Sequence, residues 1–318
     1  MKRILIDTDT GSDDAVALVM ALRDKALQVE AITTVAGNVN VDLATKNALM
    51  SIDFADTYAP PVYRGAPKPM VHEHWDAAGV HGEDGMGDLG TLPEPKGKAQ
   101  DKNAVDAIID FALVTPEAEI LALGPLTNLA LAMLKNPDAM KQVKQITLMG
   151  GAVYRGNTGP LAEFNIWEDA EAADIVFTFG VPIVMVPIEA CRGDAAILEE
   201  DVNEIKSWGS KCADFCMDCN RTLYEGSAKF AGFKYFTLPD ATAVVPLTRP
   251  DLITKQYGSY TRVETRGKLT YGATINDVRD RGRKEFLSKT TVLYPFNCTI
   301  VESLDAKGFK DYLKDLIK

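Results

Sequence analysis

No apolar run in this sequence reaches the roughly 18 residues that a membrane span requires. Nor is there a run of lysine and arginine: 34 basic residues are set against 45 acidic ones, for a net charge of -11. The electrostatic footprint of a nucleic-acid-binding protein is therefore missing, and neither nucleic acid nor membrane is an expected partner. Cysteine is scarce and badly placed for a secreted disulfide framework, with five in all, an odd count, and three between Cys212 and Cys219. That usage suggests a reducing compartment, and a cytoplasmic location is expected. Lys2 and Arg3 open the chain as a secretory leader would, but Asp7, Asp9, Asp13 and Asp14 interrupt any apolar segment behind them. No internal repeat is visible, and no Ser- or Pro-rich linker divides the first two hundred residues, so 1–318 reads as one domain. With 46% hydrophobic and 25% charged residues, that domain can bury a sizeable core.

What is present is a rhythm. Short apolar runs at 4–6, 29–35, 120–123, 146–149 and 183–186 alternate with helix-period segments at 15–22, 43–54, 126–134 and about 170–179. Repeated strand and helix of this kind predicts an α/β fold, an open and mostly parallel sheet with helices on both faces, roughly Rossmann-like. Two stretches break the rhythm. Residues 65–98 are rich in Gly and Pro and include GVHGEDGMGDLG, too long for an ordinary connection and a candidate lid over a site. Residues 219–240 crowd Tyr224, Phe230, Phe233, Tyr235 and Phe236, an aromatic cluster expected to belong to the core.

In an open α/β sheet, ligands bind beyond the carboxyl ends of the strands, and those positions are polar here. The first strand is followed by Asp7-Thr-Asp9-Thr-Gly-Ser-Asp13-Asp14, the second by Gly37-Asn38, and later ones by Gly124-Pro-Leu-Thr127-Asn128 and Gly150-Gly151. Four carboxylates in eight residues repel one another unless a cation sits among them. Oxygen-only ligands suit Ca²⁺ or Mg²⁺ and not zinc. Capping of the next helix explains Asp13 or Asp14 but not Asp7 and Asp9.

The segment ILIDTDTGSDDAVAL resembles the opening signature of the inosine-uridine type nucleoside hydrolases. In the family's order follow ITTVAGN ending at Asn38, HGEDGMG from His81, LGPLTNLA from Leu123, LMGG from Leu148, AEFNIWEDAEAA from Ala162, PDATAV from Pro239 and GKLTYGAT from Gly267, spanning about residues 3 to 280. This resemblance implies calcium-dependent hydrolysis of the N-glycosidic bond of ribonucleosides, giving ribose and free base. It implies that Asp9, Asp14 and Asp240, with the carbonyl of Leu123, hold a Ca²⁺, and that Asp9 is the general base. Asp13, Asn157, Glu163 and Asn165 would hold the ribose hydroxyls, with Asn38 near the attacking water and His81 near the base on the lid. Asp7 would brace the turn, and assembly would be a homodimer or homotetramer.

The chain departs from the family pattern at Thr10, where a Pro is usual, and at Pro239, where inosine-uridine members carry a His thought to protonate the departing base. Proline has no proton to give. Tyr224, Tyr235, Arg221 and Lys229 are candidate replacements. Stacking of a purine on Trp75 is another route, from which a preference for purine nucleosides is expected; Trp167 reads as packing. DxDxTG also resembles the opening of haloacid-dehalogenase-type, Mg²⁺-dependent phosphatases, in which the first Asp is a nucleophile. A ribose-binding relative without turnover is a third reading, favoured only by Pro239. Cys212, Cys216 and Cys219 match an iron-sulfur spacing yet share one helical face, and read as small buried hydrophobes. His72 and His74 read as a polar loop rather than a metal pair.

Overall fold

A computed structural model describes residues 1–279 and 292–318; the rest of the 1–318 span read as one domain, and the last residue of the family resemblance, lie outside the described residues. The described residues form a nine-stranded sheet. Its strands are β1 (Lys2–Thr8), β2 (Leu27–Thr34), β3 (Val62–Arg64), β4 (Glu119–Ala122), β5 (Gln145–Met149) and β6 (Ile183–Val186), with β9 (Ile253–Val263), β10 (Thr274–Asp277) and β11 (Cys298–Leu304) later in the chain. Two short strands, β7 (Ile197–Leu198) and β8 (Tyr235–Phe236), pair separately. The order is β10-β9-β11-β6-β5-β4-β1-β2-β3, parallel from β3 through β11, with β9 and β10 added antiparallel.

The order 3-2-1-4-5-6 is the doubly wound one, and its direction reverses between β1 and β4. Connections after β1 and after β4 leave that junction in opposite directions, so a crevice opens at their carboxyl ends.

Burial on both faces explains the apolar runs. Along β1, Ile4 and Ile6 join one core with the helix Ser12–Arg23, while Leu5 joins the other with the helices Ala104–Val114, Thr127–Lys135 and Ala170–Thr178. Ser12–Arg23 is apolar all round after its first turn and is buried from Ala15 to Leu22, as a helix enclosed by others must be. It packs on the helices Val41–Ala55 and Pro239–Thr248, which brings Asp240 back beside Asp13 and Asp14 across more than two hundred positions of sequence. Pro239 is the first residue of that second helix, where a missing N–H costs nothing and a fixed φ favours the start.

The glycine-rich stretch 65–98 is anchored in its middle. Met86 is fully buried, Asn47 Nδ2 donates to the Asp84 carbonyl, and Arg221 donates to the Gly87 and Asp88 carbonyls. Gly87 has φ +77°, and a Cβ there would lie 2.7 Å from the Cys219 carbonyl oxygen, so this contact with the helical region tolerates only glycine. Val71 and Trp75, by contrast, are exposed.

The three clustered cysteines lie on or at the end of the helix Lys211–Asp218 and are buried, and all five cysteines are free, as the reading of small hydrophobes expects. The aromatic cluster is divided. Phe236 is core, but Phe230 and Phe233 are 68% and 57% exposed, so the expectation of a wholly buried cluster is corrected. Alternating apolar residues on the helix Arg221–Ala231 do not reveal which of them the rest of the fold covers. Among the described residues no helix is long and apolar enough to cross a membrane.

Candidate functional site

A cleft opens at the β1/β4 junction, and its polar lining includes Asp13, Asn38, Asn157, Glu163, Asn165 and Asp240. Asp9, Asp14 and Leu123 lie behind that lining, fully buried. Asp9 follows β1 directly, and two glycines leave room for it. A Cβ at Gly37 would stand 2.1 Å from Asp9 Oδ2, and one at Gly124 would stand 2.6 Å from Oδ1. Asp9 Oδ2 accepts the Asn38 backbone N–H at 2.6 Å, while Oδ1 is buried with no partner. Asp14, in the first turn of Ser12–Arg23, accepts from the Thr8 hydroxyl on Oδ1 and from Gly11 N–H and Asn38 Nδ2 on Oδ2. It therefore both closes the helix start and faces the acidic cluster.

The structure gathers one oxygen each of Asp13, Asp14 and Asp240 within 4.8 Å of one another. Asp9 is not part of that trio, and Asp13, assigned to the sugar by resemblance, is. Asp13 Oδ1 and Asp240 Oδ1 are also buried without partners. Burial, followed by repulsion from Asp14, holds the Asp9 carboxyl well above the usual range. Burial and the Asp13 charge push Asp14 up to about 7, and burial with Asp13, Asp14 and Asp9 raises Asp240 strongly. These shifts share one origin: negative charge gathered in a dry place without a positive partner.

The Leu123 carbonyl accepts from Asn165 Nδ2 at 2.6 Å, which orients that amide and leaves Asn165 Oδ1 as its free acceptor. Glu163 caps the short helix Phe164–Glu168, with Oε1 accepting from Asn165 N–H and Oε2 from Gly151 and Ile166 N–H; burial lifts its carboxyl to about 7. Asn157, at the cleft rim, accepts from Phe164 N–H. Asp7 points away, its Oδ1 accepting from Thr33 Oγ1 and Asn128 Nδ2, which ties β1 to β2 and to the helix Thr127–Lys135. A phosphatase reading would require Asp7 as nucleophile, and it is fully buried behind the cleft.

Val80, His81, Ile188, Asn220, Leu223, Thr237 and Pro239 line the same cleft. His81 Nδ1 faces Ser12, 2.8 Å from its Oγ and 3.3 Å from its N–H, and 3.6 Å from Asp13 Oδ1. Burial lowers its pKa below the usual value, which favours the neutral ring. Since a backbone N–H can only donate, Nδ1 is the acceptor and the ring proton sits on Nε2.

Several sequence-based candidates are elsewhere. Tyr224, Tyr235, Arg221 and Lys229 line no part of the cleft: Arg221 is engaged with the lid carbonyls, Tyr224 packs edge-on against Phe236, and Lys229 is exposed. Trp75 is 63% exposed and meets Trp167 edge-on, away from the lining. His72 bonds Tyr271 and His74 bonds Glu168, so neither joins the acidic trio. Asn220, Leu223, Ile188 and Thr237 were not foreseen. They lie on segments whose approach to the cleft depends on tertiary packing, and nothing in their local sequence marks it.

A family model described as inosine-uridine preferring nucleoside hydrolase matches residues 4–311. A pyrimidine-specific ribonucleoside hydrolase RihA from Shewanella baltica is 35% identical over 325 residues, covering 100% of this chain and 96% of that protein. Among solved structures, the plant nucleoside hydrolase PpNRh1 superposes with a TM-score of 0.89 at 32% identity, covering 99% of this chain and 98% of that one. An inosine-guanosine nucleoside hydrolase superposes with a TM-score of 0.87 at 28% identity, covering 100% and 99%.

Proposed function

This chain belongs to the inosine-uridine preferring nucleoside hydrolase family and is a ribonucleoside hydrolase; from that premise we propose that it is Ca²⁺-dependent and that Asp9 is its general base. The observation that carries the proposal is the set of buried, unpartnered oxygens Asp9 Oδ1, Asp13 Oδ1 and Asp240 Oδ1 in a cluster without a positive side chain. Their donors are all oxygen, which fits a hard divalent cation. Asp14, Asp240 and Asp9 would hold it, with the Leu123 carbonyl, whose second lone pair Asn165 leaves free, and with Asp13 brought close enough to share the task. When bound, the ion would neutralise the carboxylates, orient the ribose hydroxyls and make a water easier to deprotonate.

Asp9 is suited to take that proton. Desolvation makes its carboxylate a stronger base than one in water, and the Asn38 N–H fixes one oxygen so that Oδ1 is the one left to react. Asn165 Oδ1, Asn157 and Glu163 line the cleft and suit sugar hydroxyls, and Asp13, a member of the acidic trio, would reach both sugar and cation. Buried groups that pair only with hydroxyls discriminate against sugars lacking them.

The base would meet the residues around His81. Pro239 offers no proton, whereas the Nε2–H of His81, a residue that lines the cleft, is a donor that Ser12 does not engage. With His81 there and Trp75 outside, the purine preference expected from stacking loses the residue behind it, and the proposed substrates include pyrimidine as well as purine ribonucleosides. Intact Asp9, Asp14 and Asp240 favour turnover over ribose binding alone. A cytoplasmic location and a homodimer or homotetramer are carried forward from the cysteine usage and the family resemblance. Free ribose measured from a panel of inosine, adenosine, uridine and cytidine, with Ca²⁺ and with chelator, tests the proposal. Ribose that appears only with the cation supports it; equal turnover in chelator refutes the cation's part, and no ribose from any member refutes the whole.

A further inference from the structure

We propose that Asn220 reads the nucleobase: its carboxamide oxygen accepts an N–H from the base edge, making it a specificity-determining residue of this cleft. The inference rests on the hydrolase reading above and deepens it. Asn220 is 1% exposed and lines the cleft together with Leu223 and Pro239. Its amide orientation is fixed, because Nδ2 lies 3.0 Å from the Cys216 carbonyl and 3.3 Å from the Ser12 carbonyl, and carbonyls only accept. The remaining atom, Oδ1, is buried and has no partner. A buried acceptor left unpaired is costly, and such an atom on a ligand cleft is satisfied when the ligand brings a donor.

One residue organises this pair. Ser12 donates its N–H to His81 Nδ1 and accepts on its carbonyl from Asn220 Nδ2. Ser12 thus holds two cleft-lining residues while leaving a donor, the His81 Nε2–H, and an acceptor, Asn220 Oδ1, unengaged by itself. A base edge carries the complementary set, an N–H next to a ring nitrogen or carbonyl. Val80, Ile188 and Leu223 supply apolar surface around the pair, which raises the cost of leaving it unmatched.

The test crosses a substrate change with a residue change, so that each reports on the other. Uridine is compared with 3-methyluridine, and inosine with 1-methylinosine, in wild type and in Asn220→Ala, reading kcat/KM for ribose release. Wild type is expected to favour at least one unmethylated partner by on the order of 10-fold or more, and Asn220→Ala to shrink that ratio toward one. A substitution that acts through the fold alone lowers both members of a pair together; a ratio that survives Asn220→Ala overturns the proposal, as does a wild type indifferent to both methyl groups. Should the variant not fold, calorimetric binding of uracil against 3-methyluracil and hypoxanthine against 1-methylhypoxanthine to the wild type decides, equal affinities within both pairs overturning it. Those binding measurements need no turnover. Absence of ribose release therefore refutes the hydrolase reading separately from the role of Asn220.

Discussion

Calcium added to metal-free protein near neutral pH should expel protons. Asp14 is raised to about 7, and burial with mutual repulsion raises Asp9 and Asp240 as well. A carboxylate must be ionised to bind a cation, so filling the site releases protons near pH 7. The sign follows. A carboxyl whose pKa is raised keeps its proton until the pH climbs through that value, so cation affinity is weak in acid and strengthens on the alkaline side. Each proton released corresponds to about a 10-fold gain in affinity per pH unit around neutrality, levelling off once the carboxyls are ionised. Titration of Ca²⁺ in buffers of different ionisation enthalpy reads the proton count directly. An affinity that is flat between about pH 6 and pH 8, with heats independent of the buffer, would refute the claim that these three carboxyls bind the ion together. The same raised values make the metal-free protein lose stability as the pH rises through about 7, the folded-state value of Asp14, and bound Ca²⁺ restores it.

Two substitutions address Asp9. Asp9→Asn keeps the shape and the Asn38 contact but removes the base; kcat should fall by about 10²- to 10⁴-fold or more while ribose inhibits about as before, and near-normal turnover would move the role to Asp13. Gly37→Ala places a Cβ 2.1 Å from Asp9 Oδ2 and must displace it, so activity should fall by at least about 10-fold with a loss of about 1–3 kcal/mol in stability by denaturant unfolding. An alanine variant as active as the wild type would show that the carboxylate need not be held there.

Strands β1, β2, β4, β5 and β6 were legible because they are buried on both faces and announce themselves as apolar runs between amphipathic segments, whereas the partly exposed β3, β9 and β10 carry no such run. The acidic part of the cleft was legible for a related reason: the strand ends must carry the ligands, and Asp9 and Leu123 follow β1 and β4 directly, with Asn38 in the turn after β2. Its internal arrangement was not. That Asp13 stands with Asp14 and Asp240 depends on how the helices Ser12–Arg23 and Pro239–Thr248 cross, which no local spacing records. The candidate stacking residue and replacement acids lie outside the cleft lining for the same reason. Trp75 and Tyr224 have the right chemistry but side-chain directions set by loop and helix packing, while His81 and Asn220 owe their places to one residue, Ser12, far from both in sequence. Pro239 looked like a lost acid and is also a helix start that sets up Asp240.

Hydrolysis in water enriched in ¹⁸O, with Ca²⁺ present and phosphate absent, tests the central claim most directly. Attack of water on the anomeric carbon of inosine or uridine predicts ribose that carries one labelled oxygen at that carbon alongside unlabelled base, with formation strongly suppressed in Asp9→Asn. Label in the base, a requirement for phosphate, or undiminished labelled ribose from Asp9→Asn would contradict it.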